Sequence, residues 1–167
     1  MKILLKDSDL FFEKEKPSLC KDAGQAALLI VIFSALTTIT FYVGWTKFAF
    51  SYGAGEAMVW ITASTATGFL AVTALLSLIA FRRLDKKSFG DALFIMAYAS
   101  SPIMLLAWAP HSVVKVVGIA WSIIFLKSGL EFYSKKPHKE SILIAILTGA
   151  ATIALAWVTE FYLIYYI

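Results

Sequence analysis

Apolar runs of bilayer-spanning length recur five times along this chain, and little else about it constrains the fold as strongly. A spanning helix needs about 20 mostly apolar residues at a rise of about 1.5 Å each. Such runs extend from about Gln25 to Trp45, Ala57 to Phe81, Asp91 to Trp108, Ser112 to Phe132 and Ser141 to Ile167. They dominate a chain of 167 residues that is 60% hydrophobic and 16% charged. A small soluble domain cannot bury that much apolar surface in one core. The composition therefore excludes an ordinary soluble protein, a disordered chain and a disulfide mini-protein. The predicted fold is all-α: a polytopic membrane protein of five transmembrane helices. Residues 25–167 form the membrane domain, and residues 1–24 form an N-terminal tail.

The charges predict the orientation. Lys2, Lys6, Lys14, Lys16 and Lys21 lie in the tail. Arg82, Arg83, Lys86 and Lys87 follow the second run, and Lys127, Lys135, Lys136 and Lys139 close the fourth. With an even number of crossings between these groups, all fall on one side of the bilayer. Only Lys47 and Lys115 fall on the other. The excess of Lys and Arg marks the cytoplasmic side, so the N-terminus is placed in the cytoplasm and the C-terminus outside, in a cell membrane. The five acids of the tail weigh little in this rule. Trp45, Trp60, Trp108 and Trp157, with Tyr52, Tyr162, Tyr165 and Tyr166, fall near the opposite ends of the runs, where amphipathic rings favour the interface. Trp121 and Tyr98 are placed mid-span. The net charge of +4 thus reads as an orientation signal, not a nucleic-acid surface.

Local signals punctuate the runs. Ser88-x-x-Asp91 has the pattern of a capping box for the third helix. Pro102 lies inside that helix and predicts a kink, with Ser100 or Ser101 available to the carbonyl it frees. Ser64/Gly68, Ala97/Ser101, Gly118/Ser122 and Ala145/Gly149 are small residues four apart, the spacing that lets helix backbones approach in lipid. In the tail, Ile3/Leu10, Leu4/Phe11 and Leu5/Phe12 are apolar pairs seven apart among charges. That pattern suits a short amphipathic helix on the inner membrane surface. The tail carries no apolar run suited to a signal peptide. The absence of Asn, with one Gln, hints at a thermophilic source.

Candidate chemistry is sparse. Glu160 is the one acid within an otherwise apolar run and sits either mid-membrane or at the outer interface. Lys127 and Glu131, four apart, share a helix face. With Tyr98 and Pro102 these are the candidate intramembrane polar and kink positions. The clusters Arg82, Arg83, Lys86, Lys87 and Lys135, Lys136, Lys139 are candidate docking sites for anionic lipid headgroups or an acidic partner. No metalloprotease, serine hydrolase or phosphate-loop motif is present. His111 and His138 are expected on opposite sides of the membrane, and Cys20 is the one cysteine. No enzyme activity, metal or cofactor is expected. The expected partners are the bilayer, its anionic headgroups, and a second copy or another membrane protein.

Three stretches together resemble the Yip1-domain membrane proteins. Leu10-Phe11-Phe12-Glu13-Lys14 with Pro17 is similar to an opening found before the first span in prokaryotic members. Ser88-Phe89-Gly90-Asp91-Ala92-Leu93 through Tyr98-Ala99-Ser100-Ser101-Pro102 is similar to the family's third-span segment, and Val117-Gly118-Ile119-Ala120-Trp121 through Gly129-Leu130 to its fourth. Asp85-Lys86-Lys87 departs from the glycines that often precede the Ser-Phe pair. The resemblance implies an integral membrane protein of the prokaryotic type, without enzymatic activity, acting in membrane organisation or as an adaptor. Eukaryotic members associate with Rab-type GTPases, and that partnership is not carried over to this chain. The alternative reading from the residues is a small oligomeric transporter or channel using Glu160, Lys127 and Glu131.

Overall fold

A computed structural model of the chain describes residues 10–13, 17–44, 54–106 and 112–166, with side chains described over slightly shorter ranges. All regular structure among them is helical. Helix α1 spans Leu19–Gly44, α2 Ala54–Leu76, α3 Lys86–Ala99, α4 Ser101–Leu106, α5 Ser112–Tyr133 and α6 His138–Tyr166. Residues 10–13 are helical as well, and the non-helical Pro17 and Ser18 set them apart from α1. Four segments among the described residues are long and apolar enough to cross a membrane: Leu19–Ile39, Gly55–Phe81, Lys86–Leu106 and Val116–Tyr133.

Helices α2, α3, α5 and α6 each touch two neighbours and close a four-membered ring, and α1 covers the seam between α2 and α3. The core runs through this ring and includes Phe69, Val72, Leu76, Phe94, Ile95 and Leu130. Large apolar side chains also cover the outside. Val59, Leu70, Val113 and Leu143 are all more than half exposed. Such a shell suits lipid, where interior and exterior are equally apolar and packing replaces the hydrophobic drive. Buried hydroxyls are satisfied within their own helices: Ser34 Oγ donates to the Ile30 carbonyl at 2.7 Å and Thr73 Oγ1 to the Phe69 carbonyl at 2.8 Å.

Helix α1 begins at Leu19, before the expected Gln25, and two further ends differ in how they are closed. The third spanning segment starts at Lys86, not Asp91, and Ser88-x-x-Asp91 is not its capping box. Asp85 is the N-cap, and the Ser88 N–H donates to Asp85 Oδ1 at 2.7 Å. A carboxylate one residue before the first turn reaches that N–H directly. The Ser88 hydrogen bonds hold the Asp85 carboxyl below its ordinary value. The second difference is at the end of α2, where Ser77–Phe81 widen into a π turn that closes on Arg82 in the left-handed conformation, φ 56°. Ser77 Oγ donates across this turn to the Arg83 carbonyl at 2.7 Å.

The predicted break at Pro102 is present, and it separates α3 from α4. Proline supplies no N–H to the Tyr98 carbonyl. Ser101 Oγ donates to that carbonyl instead, at 2.7 Å, and Ser100 Oγ donates to the Met96 carbonyl at 2.6 Å. The Ile103 N–H leaves the helical ladder and donates to Ser122 Oγ of α5 at 3.2 Å. Gly118 makes this approach possible, because a Cβ there would stand 3.2 Å from the Pro102 carbonyl oxygen. The Gly118/Ser122 pair is therefore a packing seam. Ala145/Gly149 is another: Ala145 is fully buried and Gly149 faces Ile123. Gly68 has open space around it, so Ser64/Gly68 forms no such seam.

Candidate functional site

The end of α2, the start of α3, the end of α5 and the start of α6 meet at one end of the bundle. The predicted docking residues gather there because helix reversal after α2 and after α5 places both basic stretches on the same side. Arg82, Arg83, Lys86, Lys87, Lys135 and Lys139 are exposed. Lys136 is half-buried, with Nζ 3.4 Å from Glu140 Oε2 one turn into α6. Lys135 at φ 51° ends α5 as Arg82 ends the π turn, so a left-handed basic residue turns the chain back at both reversals.

Just inside this rim, Glu131 holds two partners. Lys127 Nζ lies 3.0 Å from Glu131 Oε2, and His138 Nδ1 donates to Glu131 Oε1 at 2.7 Å. The Lys127/Glu131 pairing follows from their spacing. His138 does not, because the left-handed turn at Lys135 is what folds the start of α6 back onto the end of α5. The carboxylate thereby ties the two helices together as well as pairing within α5.

Beneath the charges lies an aromatic cluster that sequence reasoning missed. Phe12 is fully buried between α3 and α5. Its ring centroid lies 5.8 Å from Phe94, 6.3 Å from Phe125 and 6.2 Å from Tyr133, in edge-to-face arrangements. Phe11 lies 4.7 Å from Tyr98, which in turn lies 4.8 Å from Phe94. Tyr98, placed mid-span from the sequence, is held between Phe11 and Phe94. Trp121 instead faces outward and is 41% exposed. The signal for the cluster was the adjacent pair Phe11-Phe12 in a charged stretch, which the period-seven pattern assigned to a membrane surface.

A small cavity of about 30 Å³ lies beside the Pro102 break, lined by Ala99, Ser100, Ile103, Ser122, Thr148 and others, with almost wholly apolar walls. The side chains of Glu160, Lys115 and Lys47 and the whole of His111 lie outside the described residues, as do Trp45, Tyr52 and Trp108.

No curated protein and no solved structure matches the chain. A family comparison does: the Yip1 domain aligns with residues 2–159, which takes in the N-terminal turn, the basic rim and all the spanning segments described above. The match covers nearly the whole chain and contains all three stretches on which the resemblance rested, and the chain accordingly belongs to the Yip1 domain family.

Proposed function

We propose that this protein is a non-catalytic, five-helix adaptor of the cell membrane, whose basic end docks anionic lipid headgroups and acidic surfaces of partner proteins from the cytoplasm. The exposure of Arg82, Arg83, Lys86, Lys87, Lys135 and Lys139 at one end of the bundle carries the reading. At the α3 N-terminus among them Asp85 already takes the Ser88 N–H, and the attraction for headgroups comes from the basic side chains. Helix α6 supports a fifth crossing, since 29 residues extend about 43 Å against a hydrocarbon core of about 30 Å. Lys127 and Glu131 neutralise each other and His138 adds to the pair, above a cluster of close-packed rings, which favours the adaptor over the transport reading.

Replacing Arg82, Arg83, Lys86 and Lys87 together by Gln tests the docking face. Each basic residue near an anionic surface contributes about 1 kcal/mol, so retention of phosphatidylglycerol through purification, read by native mass spectrometry, should fall at least about tenfold. Equal retention by the folded variant and the wild type would discard the docking role of this cluster.

Orientation has its own probe. Cys20 is exposed in the first turn of α1, on the same end as the basic rim. A membrane-impermeant maleimide is expected to label Cys20 in inside-out vesicles and to leave it unlabelled in intact cells. Labelling in intact cells would reverse the proposed topology.

A further inference from the structure

The helical turn at residues 10–13 stands apart from α1, which begins at Leu19 after the non-helical Pro17 and Ser18. What holds it is a surface already built by the bundle. Gly129 leaves room for the tip of the Phe12 ring, since a Cβ there would stand 3.1 Å from Phe12 Cζ. The Phe94 and Tyr133 rings flank it edge-on, and Tyr133 Oη donates to the Phe12 carbonyl oxygen at 3.2 Å. Tyr98 takes the ring of Phe11. Next to the two rings, Leu10 and Glu13 are both exposed. Two adjacent aromatic anchors in a preformed groove, flanked by exposed residues, is how folded proteins hold short peptides. An integral part of a helical bundle would instead bury a continuous face.

We propose that the groove between α3 and α5 is a recognition site for a short turn carrying two adjacent aromatic side chains, and that residues 10–13 are its tethered ligand, docked reversibly. The bundle keeps its fold with the turn in or out. A vacated groove takes the same segment when it is supplied in trans. This site is separate from the exposed basic rim, and it stands whether or not that rim docks lipid.

The full-length chain with Phe11→Ala and Phe12→Ala, held in phosphatidylcholine nanodiscs, is titrated with a fluorescent peptide of residues 3–16. Saturable binding is expected, at least about tenfold tighter than to the wild-type chain, whose groove is already filled. A peptide with both phenylalanines replaced by serine is expected to bind at least about tenfold more weakly. Equal binding to both chains, or none to the folded double variant, overturns the proposal. Hydrogen exchange gives a second measurement that does not depend on that variant folding. Tyr133→Phe removes one bond to the turn, and exchange at residues 10–13 should then quicken several-fold while α3 and α5 keep their protection. Protection of residues 10–13 equal to that of the α3 core in both chains would make the segment a fixed part of the bundle and end the proposal.

Discussion

Phe94→Ala is expected to cost the bundle about 3–5 kcal/mol, the range for truncating a fully buried phenylalanine. Phe94 has no exposed surface, and its ring meets Phe12, Tyr98 and Tyr133. The alanine variant leaves a void that three rigid rings on two helices and the N-terminal turn cannot fill together. The loss is chiefly of close contact, because in lipid the unfolded helices are solvated by hydrocarbon as well. The measurement is the unfolding midpoint in mixed micelles with increasing sodium dodecyl sulfate. Leu143→Ala serves as the comparison, since Leu143 is 58% exposed, and its effect is expected within about 0.5 kcal/mol. Equal midpoints for the two variants would show that the aromatic cluster does not hold α3 to α5.

Gly118→Leu is expected to be nearly as damaging, and Gly68→Leu to be harmless. Both glycines belong to small-residue pairs with the same spacing. At Gly118 the added carbon would meet the Pro102 carbonyl and Leu106 Cβ, each at 3.2 Å, and backbone cannot swing aside. Overpacking of this kind costs about 1–3 kcal/mol. Forcing α4 from α5 also breaks the bond from the Ile103 N–H to Ser122 Oγ, and an unsatisfied donor adds about 1–3 kcal/mol. Gly68 has nothing within 4 Å of its would-be Cβ, so leucine there enters lipid and improves helix propensity. The same denaturation series should show a lowered midpoint for the first variant and an unchanged or raised one for the second. A matched loss at both sites would mean that spacing alone, without close approach, governs these helices.

Features that depend on one helix and its solvent were legible in the sequence. The apolar runs follow from the length of a lipid crossing, the break from the missing proline N–H, and a serine bond to the freed carbonyl from the placing of Ser100 and Ser101 just before Pro102. The Lys127–Glu131 pair follows from helical spacing. Features that depend on how the chain returns on itself were not. His138 reaches Glu131 only because Lys135 adopts a left-handed turn, a conformation unusual for lysine and invisible in its side chain. Asp85 displaced Ser88 as the cap because the π turn and Arg82 set where α3 begins. Phe11 and Phe12 satisfy an amphipathic pattern and a groove equally well. Their fate turned on Gly129, more than a hundred residues away, whose missing side chain makes the space. Nor could spacing separate Gly118 from Gly68, since the difference lies in the neighbour each one meets.

The order of helices around the ring has a consequence for biosynthesis. Helix α6 lies between α2 and α5 in space but follows both in the chain. As the ribosome delivers helices from the N-terminus, α1, α2 and α3 can associate at once, whereas α2 and α5 keep an unfilled flank until α6 emerges. During that interval the seam later occupied by Ala145 and Gly149 stands open. Helix α6 is thus the keystone of this ring: it packs against both α2 and α5.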